Sequence, residues 1–221
     1  MPTEENVIRV PESAPVERHA LLVFGGGGHG RVVADAALAS GTWSGLLASD
    51  RNPARCQEAL LPGVPSYAAE VAARHEAKVH VAIGDNRSRE REAQAWGLGR
   101  LVAVVHPRAT VSPWATVGLG SFVAAQAVLA PGAWVGLGVI VNHGAVVDHD
   151  VAVGDFSHVA PHAALGGFVQ IGARVLIGAG AVVLPGVRID NDVIVGAGAV
   201  VCDDIEIPGI YVGVPARRVK G

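Results

Sequence analysis

Aliphatic residues recur at every sixth position of this chain, without a break, from Val111 to Ile207. Two positions before each of them lies a small or β-branched residue, from Ala109 to Ile205. A period of six fits neither an α-helix, which repeats about every 3.6 residues, nor a plain alternating strand. It is typical of a chain that turns a corner every six residues, so that three hexads close a triangular coil and residues eighteen apart stack. The spacing predicts a parallel β-helix with the aliphatic residues inside.

Residues 20–107 lack this period and predict a different domain. Short apolar segments at 20–24, 46–48, 79–83 and 101–105 read as strands, and segments at 31–40, 66–75 and 87–96 read as helices. Strands that alternate with helices indicate a small, Rossmann-like α/β domain with a parallel sheet. The predicted organisation is a flexible tail over 1–19, this domain over 20–107, the β-helix over 108–207 and a C-terminal cap over 208–221.

Composition narrows the class of protein. The net charge of −3 gives no reason to expect nucleic-acid binding, and no run of eighteen apolar residues is free of glycine or polar breaks, so we expect no membrane span. The first eighteen residues are acidic and have no apolar centre, which argues against a signal peptide. Cys56 and Cys202 show no metal-ligand spacing. We expect a cytoplasmic protein without a bound metal.

A glycine-rich loop follows the first predicted strand and precedes a helix. Gly25, Gly27 and Gly30 form the pattern G-x-G-x-x-G, and Asp50 follows twenty residues after Gly30. Such glycines let the backbone approach a phosphate, and the free N–H groups of the helix start attract its charge. His29 can add a hydrogen bond. A tight turn without a ligand is the alternative interpretation, as is a surface or capping role for Asp50.

A second polar loop, residues 83–87, follows another predicted strand and includes Gly84 and Asn86. The carboxyl ends of parallel strands meet at one edge of a sheet, where ligands of such folds bind. Two polar, glycine-bearing loops at one edge favour a nucleotide site.

His149 lies at a predicted corner of the β-helix between Asp148 and Asp150. The residue stacked above it is Gly167, which has no side chain and leaves space for a substrate. A neighbouring carboxylate can orient an imidazole and raise its basicity. The sequence therefore favours His149 as a general base over a plain surface histidine, with either aspartate as its partner.

Two further histidines have other positions on the coils. His143 lies a third of a turn away from His149, and His158 points outward between Ile140 and Leu176. His158 is either solvated or buried by another subunit. The three histidines do not share a face, so a zinc site requires ligands from two chains.

Other outward residues and the C-terminus predict contacts. Val128, Trp134, Ile140 and Leu176 give apolar flat faces, which favour association. After Ile207 the period stops, and the basic residues Arg217, Arg218 and Lys220 suit the pyrophosphate or 3′-phosphate of coenzyme A, with a solubilising tail as the alternative.

These motifs together resemble the hexapeptide-repeat acyltransferases, and more narrowly the nucleotide-sugar acetyltransferases of the bacillosamine, perosamine and sialic acid O-acetyltransferase-like type. The resemblance is carried by the loops at 27–30 and 83–86 and by the segments 146–150, 154–159 and 213–216. It implies a left-handed β-helix and a homotrimer with acetyl-CoA as co-substrate between neighbouring solenoids.

The resemblance also implies roles for individual residues. His149 would be the base and Asp150 its partner. Asn142 would lie near the acceptor amine and His158 near the acetyl thioester. Gly27, Gly28, His29 and Gly30 would hold the phosphates of the sugar nucleotide, and Asp50, Gly84 and Asn86 would line the remainder of that site. Coenzyme A would run past Gly167, Ala179 and Ala197 toward Arg217. Ser49 departs from the pattern, since an acidic residue precedes the aspartate in the bacillosamine enzyme.

The implied activity is acetyl-CoA-dependent N-acetylation of a nucleotide-linked 4-amino-4,6-dideoxy sugar, with UDP or GDP as the nucleotide, in polysaccharide biosynthesis. O-acetylation of a sugar hydroxyl would use the same histidine. A zinc-dependent hydratase and a non-catalytic scaffold are further alternatives.

Overall fold

The computed structural model describes residues 7–8 and 19–219. Most of the predicted N-terminal tail lies outside the described residues. Its described part is a short strand, β1 (Val7–Ile8), which pairs antiparallel with residues 117–118 of the solenoid.

A four-stranded parallel sheet forms the N-terminal domain. Its strands are β2 (Leu21–Phe24), β3 (Leu46–Asp50), β4 (Ser66–Ala68) and β5 (Lys78–Val81), in the spatial order β4-β3-β2-β5. Since β5 lies on the opposite side of β2 from β3, the strand order reverses between β2 and β5, which is the place where ligands of such sheets bind.

Three helices connect these strands and the solenoid: α1 (Gly28–Ser40), α2 (Ala69–Ala72) and α3 (Asn86–Trp96). Short 3-10 helices lie at Pro53–Cys56 and Leu98–Arg100. The predicted helix over 66–75 is partly wrong. Residues 66–68 form β4 instead, because they pair with the end of β3 and this tertiary pairing outweighs local helix preference.

The remainder is a triangular parallel β-helix with three faces. One of them, called the covered face, packs against the N-terminal domain. The covered face consists of β6 (Val104–Val105), β9 (Phe122–Val123), β12 (Ile140–Val141), β15 (His158–Val159), β18 (Leu176–Ile177) and β21 (Val193–Val195). The second face consists of β7 (Thr110–Val111), β10 (Val128–Leu129), β13 (Val146–Val147), β16 (Ala164–Leu165), β19 (Val182–Val183) and β22 (Val200–Val201). The third face consists of β8 (Thr116–Gly118), β11 (Trp134–Val135), β14 (Ala152–Val153), β17 (Gln170–Ile171) and β20 (Arg188–Ile189), with β1 at its edge.

The register is the one that the period of six predicts. Val147, for example, pairs with Leu129 below it and Leu165 above it, and all three are buried. The small and β-branched residues two positions earlier, such as Ala145 and Ala163, fill the same core. A narrow solenoid has room for only these sizes, which explains the scarcity of aromatic residues inside it.

The solenoid begins earlier than predicted and is closed at its other end by a hairpin within the predicted cap. The predicted strand over 101–105 belongs only in part to the α/β domain, because Val104–Val105 pairs with β9 and Val105 packs on the solenoid core. The aliphatic period in fact extends one step back to Val105. At the other end, β23 (Gly209–Val212) pairs with β21 and with β24 (Arg217–Arg218), and this hairpin closes the last coil.

The α/β domain packs against the covered face. Phe122 and Ile140 point outward from that face and lie in one buried cluster with Leu21, Val23 and residues of α1. The expectation that another subunit covers Ile140 was therefore wrong, because the domain of its own chain buries it. The two alternatives for His158, solvent or another subunit, were wrong as well, since its own chain largely buries this side chain. Val128, Trp134 and Leu176 stay partly exposed.

Arg89 of α3 joins the two domains. Its side chain is 1% exposed and makes six hydrogen bonds, of 2.6–3.2 Å. The acceptors are the carbonyl oxygens of Ile83, Gly84, Gly138, Phe156 and Ser157 and the Oδ1 atom of Asn86. Burial lowers the pKa of Arg89 to about 9, so the guanidinium remains charged at neutral pH.

A partly exposed network of charges lies beside this buried contact. Arg174, with a side chain that is 25% exposed, forms paired hydrogen bonds of 2.9 Å with Asp192 and lies 3.6 Å from Glu90 of α3. Arg87 contacts the same aspartate at 2.9 Å with a side chain that is 74% exposed. An ion pair as exposed as that of Arg87 contributes little, whereas Arg89 is buried and makes six hydrogen bonds.

Replacing Arg89 with methionine is expected to lower the free energy of unfolding by about 3 kcal/mol or more, because it removes the donors of several buried carbonyl groups at nearly constant volume. Urea denaturation followed by circular dichroism measures the change. Arg87→Met, two residues earlier on α3, is the matched control and is expected to cost less than about 1 kcal/mol. Equal losses in the two variants would contradict the role given to Arg89.

Candidate active site

The glycine loop connects β2 to α1 in a conformation that needs its glycines. Gly25 has φ +128°, and a Cβ atom there would lie 2.5 Å from the carbonyl oxygen of Ala82. A Cβ atom on Gly30 would fall on the carbonyl oxygen of Gly25. These two glycines therefore fix the turn and the close packing of helix on strand, as the G-x-G-x-x-G pattern predicts.

The other glycines of the loop leave the start of α1 open. Gly27 is the N-cap residue, no side chain caps the helix, and Gly28 is exposed with empty space where a Cβ atom would be. The N–H groups of this first turn carry a partial positive charge. The open side of the loop can therefore accept an anion.

Asp50 lies at the end of β3 beside this opening. Its Oδ2 atom accepts hydrogen bonds from the Gly26 N–H at 2.7 Å and from Arg55 at 3.3 Å, and its Oδ1 atom accepts from the Asn52 N–H at 2.8 Å. Burial opposes its ionisation, but these donors outweigh that effect and lower the pKa of Asp50. The preceding Ser49 is buried, and its hydroxyl has no partner among the described residues.

Arg55 contributes a cation that the sequence interpretation missed. Its side chain is 54% exposed, and its Nη1 atom lies 3.6 Å from the point where a Cβ atom of Gly27 would be. The 3-10 helix at Pro53–Cys56, capped by Asn52, aims it back over the loop. Its only sequence signal is an arginine five residues after the strand-end aspartate.

The second loop lies at the junction between the domains. The side chain of Asn86 donates to the carbonyl oxygens of Arg174 and Val175, each at 3.1 Å, and accepts from Arg89. Its polar atoms are thus used within the chain, while Gly84 is exposed and its carbonyl oxygen accepts from Arg89. This loop therefore joins the two domains on the β5 side of the sheet.

Several predicted residues meet where the glycine loop approaches the covered face. The Nδ2 atom of Asn142 lies 3.1 Å from the Nε2 atom of His158. His29 packs edge-on against Phe122, with ring centroids 5.4 Å apart, and its Nε2 atom is buried without a partner among the described residues. The structure thus brings Asn142, His158 and His29 together where the two domains meet.

Burial keeps these imidazoles neutral. It is the largest cause that lowers the pKa of His29 to about 3, with His80, His158 and Arg89 adding repulsion. Burial, followed by the charge of Arg89, lowers the pKa of His158 to about 4. At neutral pH both rings are neutral, so each can donate one hydrogen bond and accept another.

His149 lies at the corner between the second and third faces, on a different side of the solenoid from the covered face that carries His158. Its Nδ1 atom lies 3.0 Å from the Oδ2 atom of Asp150, and its backbone N–H donates to Asp148 at 2.7 Å. The Asp150 hydrogen bond is the main cause that raises the pKa of His149, and the charge of Asp148 adds to it. The carboxylate of Asp150 holds Nδ1–H, which leaves Nε2 as the free acceptor.

Gly167 lies directly against the imidazole of His149. A Cβ atom there would lie 2.5 Å from both the Cε1 and Nε2 atoms of the ring. The predicted free space above His149 is thus occupied by the ring itself, which folds over the glycine. The absence of a side chain keeps Nε2 accessible.

The residues predicted to hold acetyl-CoA lie in several places. Ala179 and Ala197 are exposed on one corner, one coil apart, and the Ala179 carbonyl oxygen accepts from the Gly198 N–H at 2.8 Å. Arg217 is exposed in β24, with Asp203 at 3.8 Å. Gly167 lies on the corner of His149 and His158 on the covered face, so one chain does not bring all five together.

Among residues 7–8 and 19–219, no group of three or more His, Cys, Asp and Glu side chains lies close enough to hold a metal ion. Within the same residues, no helix is long and apolar enough to cross a bilayer.

Comparison with known proteins identifies the family. A model of the PglD N-terminal domain matches residues 20–95, and a model of bacterial transferase hexapeptide repeats matches residues 168–203. The acetyltransferase domain of PglB from Neisseria gonorrhoeae FA1090, in complex with acetyl coenzyme A, is 36% identical, with a TM-score of 0.83 over 91% of this chain and 100% of that one. The chain belongs to the PglD-like acetyltransferases. This confirms the predicted family and the fold of a Rossmann-like domain followed by a left-handed β-helix.

Other structures extend the comparison of this PglD-like acetyltransferase. A mutant of GDP-perosamine N-acetyltransferase from Caulobacter crescentus, in complex with CoA and GDP-perosamine, is 36% identical, with a TM-score of 0.84 over 91% of this chain and 97% of that one. WeeI from Acinetobacter baumannii AYE, 24% identical with a TM-score of 0.78 over 90% and 99% of the two chains, shares the fold. Among the curated proteins, none matches this sequence.

Gly167→Ala in this PglD-like acetyltransferase is expected to lower kcat roughly 10- to 100-fold, because the added methyl group displaces the His149 ring and crowds Nε2. Steady-state kinetics measures the loss, and a melting curve confirms that the protein stays folded. Gly45→Ala, where a Cβ atom meets open space, is the control and is expected to keep full activity. An active Gly167→Ala enzyme would show that the ring position does not matter.

Proposed function

We propose that this PglD-like acetyltransferase transfers the acetyl group of acetyl-CoA to the amine of a nucleotide-linked 4-amino-4,6-dideoxy sugar. One observation carries the proposal: the imidazole of His149 is held through Nδ1 by Asp150 and presents a free Nε2 atom at an exposed corner. The relatives solved with acetyl coenzyme A and with CoA plus GDP-perosamine support this choice of substrates.

The reaction needs a base because the amine nitrogen must lose one proton to become an amide nitrogen. The neutral amine attacks the thioester carbonyl carbon, which forms the C–N bond and opens the carbonyl to a tetrahedral oxyanion, while the Nε2 atom of His149 takes the proton from the nitrogen. Collapse of this intermediate restores the carbonyl and breaks the C–S bond, and the imidazolium gives its proton to the coenzyme A thiolate. Asp150 stabilises the transient imidazolium, and a backbone N–H group near Gly167 is our candidate donor to the oxyanion.

Anion-binding features at the sheet edge support a nucleotide diphosphate as the handle of the acceptor. The uncapped start of α1 at Gly27 and Gly28 offers free N–H groups, and the guanidinium of Arg55 lies beside them. Asp50 and the exposed Gly84 flank this opening, where we place the nucleotide. The relatives solved with GDP-perosamine support GDP, UDP rests on the family resemblance alone, and nothing in this loop selects between them.

The sugar would then extend toward Asn142, His158 and His29, where the two domains meet. The buried Nε2 atom of His29 has no partner among the described residues, and buried polar atoms of this kind are normally hydrogen-bonded. The oxygen atoms of a bound sugar phosphate would supply the missing acceptor for an Nε2–H group. Asn142 and His158 would contact the amine and the acetyl thioester, as the family resemblance implies.

The active site must be shared between two copies of the chain. The glycine loop adjoins the covered face, where His29 contacts Phe122, whereas His149 projects from the corner between the other two faces. A substrate held by one chain therefore cannot reach the base of that chain. We propose a homotrimer in which the glycine loop of one subunit and the residues beside it face the His149 corner of the next, with acetyl-CoA along Gly167, Ala179 and Ala197 and its phosphates near Arg217.

Mixed oligomers test the shared site and the base together. Gly28→Asp places a carboxylate at the open anion site, and His149→Asn removes the base, so each variant alone is expected to be inactive. Trimers reassembled from equal amounts of both should regain about a quarter of the wild-type activity, since half of the loops and half of the bases are intact and pair at random. Mixtures that stay inactive, with trimers confirmed by light scattering, would contradict a shared site.

An acceptor panel tests the reaction itself. Thiol release from acetyl-CoA is measured with UDP-, GDP- and dTDP-linked 4-amino-4,6-dideoxy sugars, each beside its 4-hydroxy counterpart. We expect turnover with an amino sugar and at most trace turnover with its hydroxyl analogue, because a neutral amine is a much stronger nucleophile toward a thioester than a hydroxyl group. Release with hydroxyl acceptors alone would assign O-acetylation, and inactivity of the folded protein with every acceptor would reject the proposal.

A further inference from the structure

We propose that Phe168 is a positioning residue that holds the imidazole of His149 in its reactive orientation. The proposal rests on the proposed function, in which His149 is the base. The motif and spacing that single out His149, Asp150 and Gly167 give no role to the residue that follows the glycine, yet the structure places its ring directly against the imidazole.

The contact between the two rings is close and specific. The ring centroids of Phe168 and His149 lie 5.1 Å apart with an angle of 88° between the planes, which is the edge-to-face geometry that aromatic pairs prefer. The backbones of the two residues are also joined, since the Phe168 N–H donates to the His149 carbonyl oxygen at 3.1 Å. The phenylalanine is therefore fixed relative to the base by main chain as well as side chain.

Phe168 has the surroundings of a functional residue more than those of a core residue. It is 59% exposed, whereas Phe122 and Phe156 are 1% and 4% exposed. Its φ of +62° belongs to the left-handed region, a corner conformation that directs its side chain out of the coil. An exposed phenyl ring gains little from burial, so its packing against the imidazole is the contact that explains its place here.

Three groups together confine the imidazole. The carboxylate of Asp150 holds Nδ1 at 3.0 Å, the Cα of Gly167 lies against the Cε1–Nε2 edge, and the phenyl ring of Phe168 packs against the side. Because the His149 side chain is 50% exposed, no surrounding core would otherwise stop its rotation. Without the phenyl ring, the imidazole would spend part of its time turned away from Asp150 and from the substrate.

The resulting loss is a loss of competent base and not of substrate affinity. Phe168→Ala is expected to lower kcat about 2- to 10-fold, the range that corresponds to the strength of one aromatic pair, while KM for both substrates stays unchanged. The charged groups that face the imidazole are Asp148 and Asp150, and a looser ring feels Asp150 less. The acid limb of the kcat profile should therefore move to lower pH.

The experiment compares kcat, KM and the pH profile of Phe168→Ala, Phe168→Leu and Phe168→Tyr with the wild type. The tyrosine variant, which keeps the ring, should restore kcat and the pH profile, and the leucine variant should restore them only in part. Trp114→Ala is the matched control, because Trp114 is an exposed aromatic residue farther along the same corner, 75% exposed. Trp114→Ala should leave kcat, KM and the pH profile unchanged.

The outcomes separate this proposal from the one it rests on. A wild-type kcat in Phe168→Ala, or an increase in KM at constant kcat, overturns the positioning role while leaving the base assignment intact. Substantial activity in His149→Asn would overturn the base assignment itself. NMR titration of the His149 ring in the wild type and in Phe168→Ala gives a measurement that does not depend on turnover. An identical titration curve in the two proteins would also contradict the proposal.

Discussion

The arrangement of the two domains depends on the buried guanidinium of Arg89. This cation from α3 of the N-terminal domain binds carbonyl groups of its own loop and of the solenoid corners at Gly138 and Phe156. Five rigid donors on one planar group can align backbone groups from two domains at once, which a lysine or an apolar residue cannot do. The cost of burying the charge is offset only while these hydrogen bonds are made, so the contact holds the two domains together in this arrangement. The same arrangement places His29 beside Phe122 and close to His158 of the solenoid.

The fold was accessible from the sequence because its signal is periodic. Each hexad repeats the same requirement for an aliphatic residue and a small one, and the pairing of Val147 with Leu129 and Leu165 is the direct result. The glycine loop could be predicted equally well, because Gly25 and Gly30 are required where a Cβ atom would clash with neighbouring backbone atoms. The boundaries between elements were harder to predict. Whether residues 66–68 form a strand depends on their pairing with β3, and the assignment of Val105 depends on its pairing with the next coil.

The candidate site could be predicted only in part, because some of its residues are placed by contacts between parts of the chain that are distant in sequence. His149 and Asp150 are adjacent in sequence, and stacking by eighteen residues places Gly167 beside them, so local rules suffice. The roles of Arg89 and Asn86 arise from packing between two domains, for which neither spacing nor composition gives a rule. Arg89 looks like an ordinary surface residue on a polar helix. No pattern in the sequence predicts that the N-terminal domain of the same chain packs over Ile140.

The corner geometry has an evolutionary consequence. Three side chains in left-handed corner positions rest on a glycine of the coil below: Asp150 lies over Gly132, Phe156 over Gly138 and His162 over Gly144. Gaining a side chain at such a glycine is blocked while the larger neighbour is present, but losing the neighbour first opens the way. Substitutions within these three pairs, eighteen residues apart, are therefore epistatic, and their order is constrained. At these corners the upper side chain must become smaller before the glycine below it can be replaced.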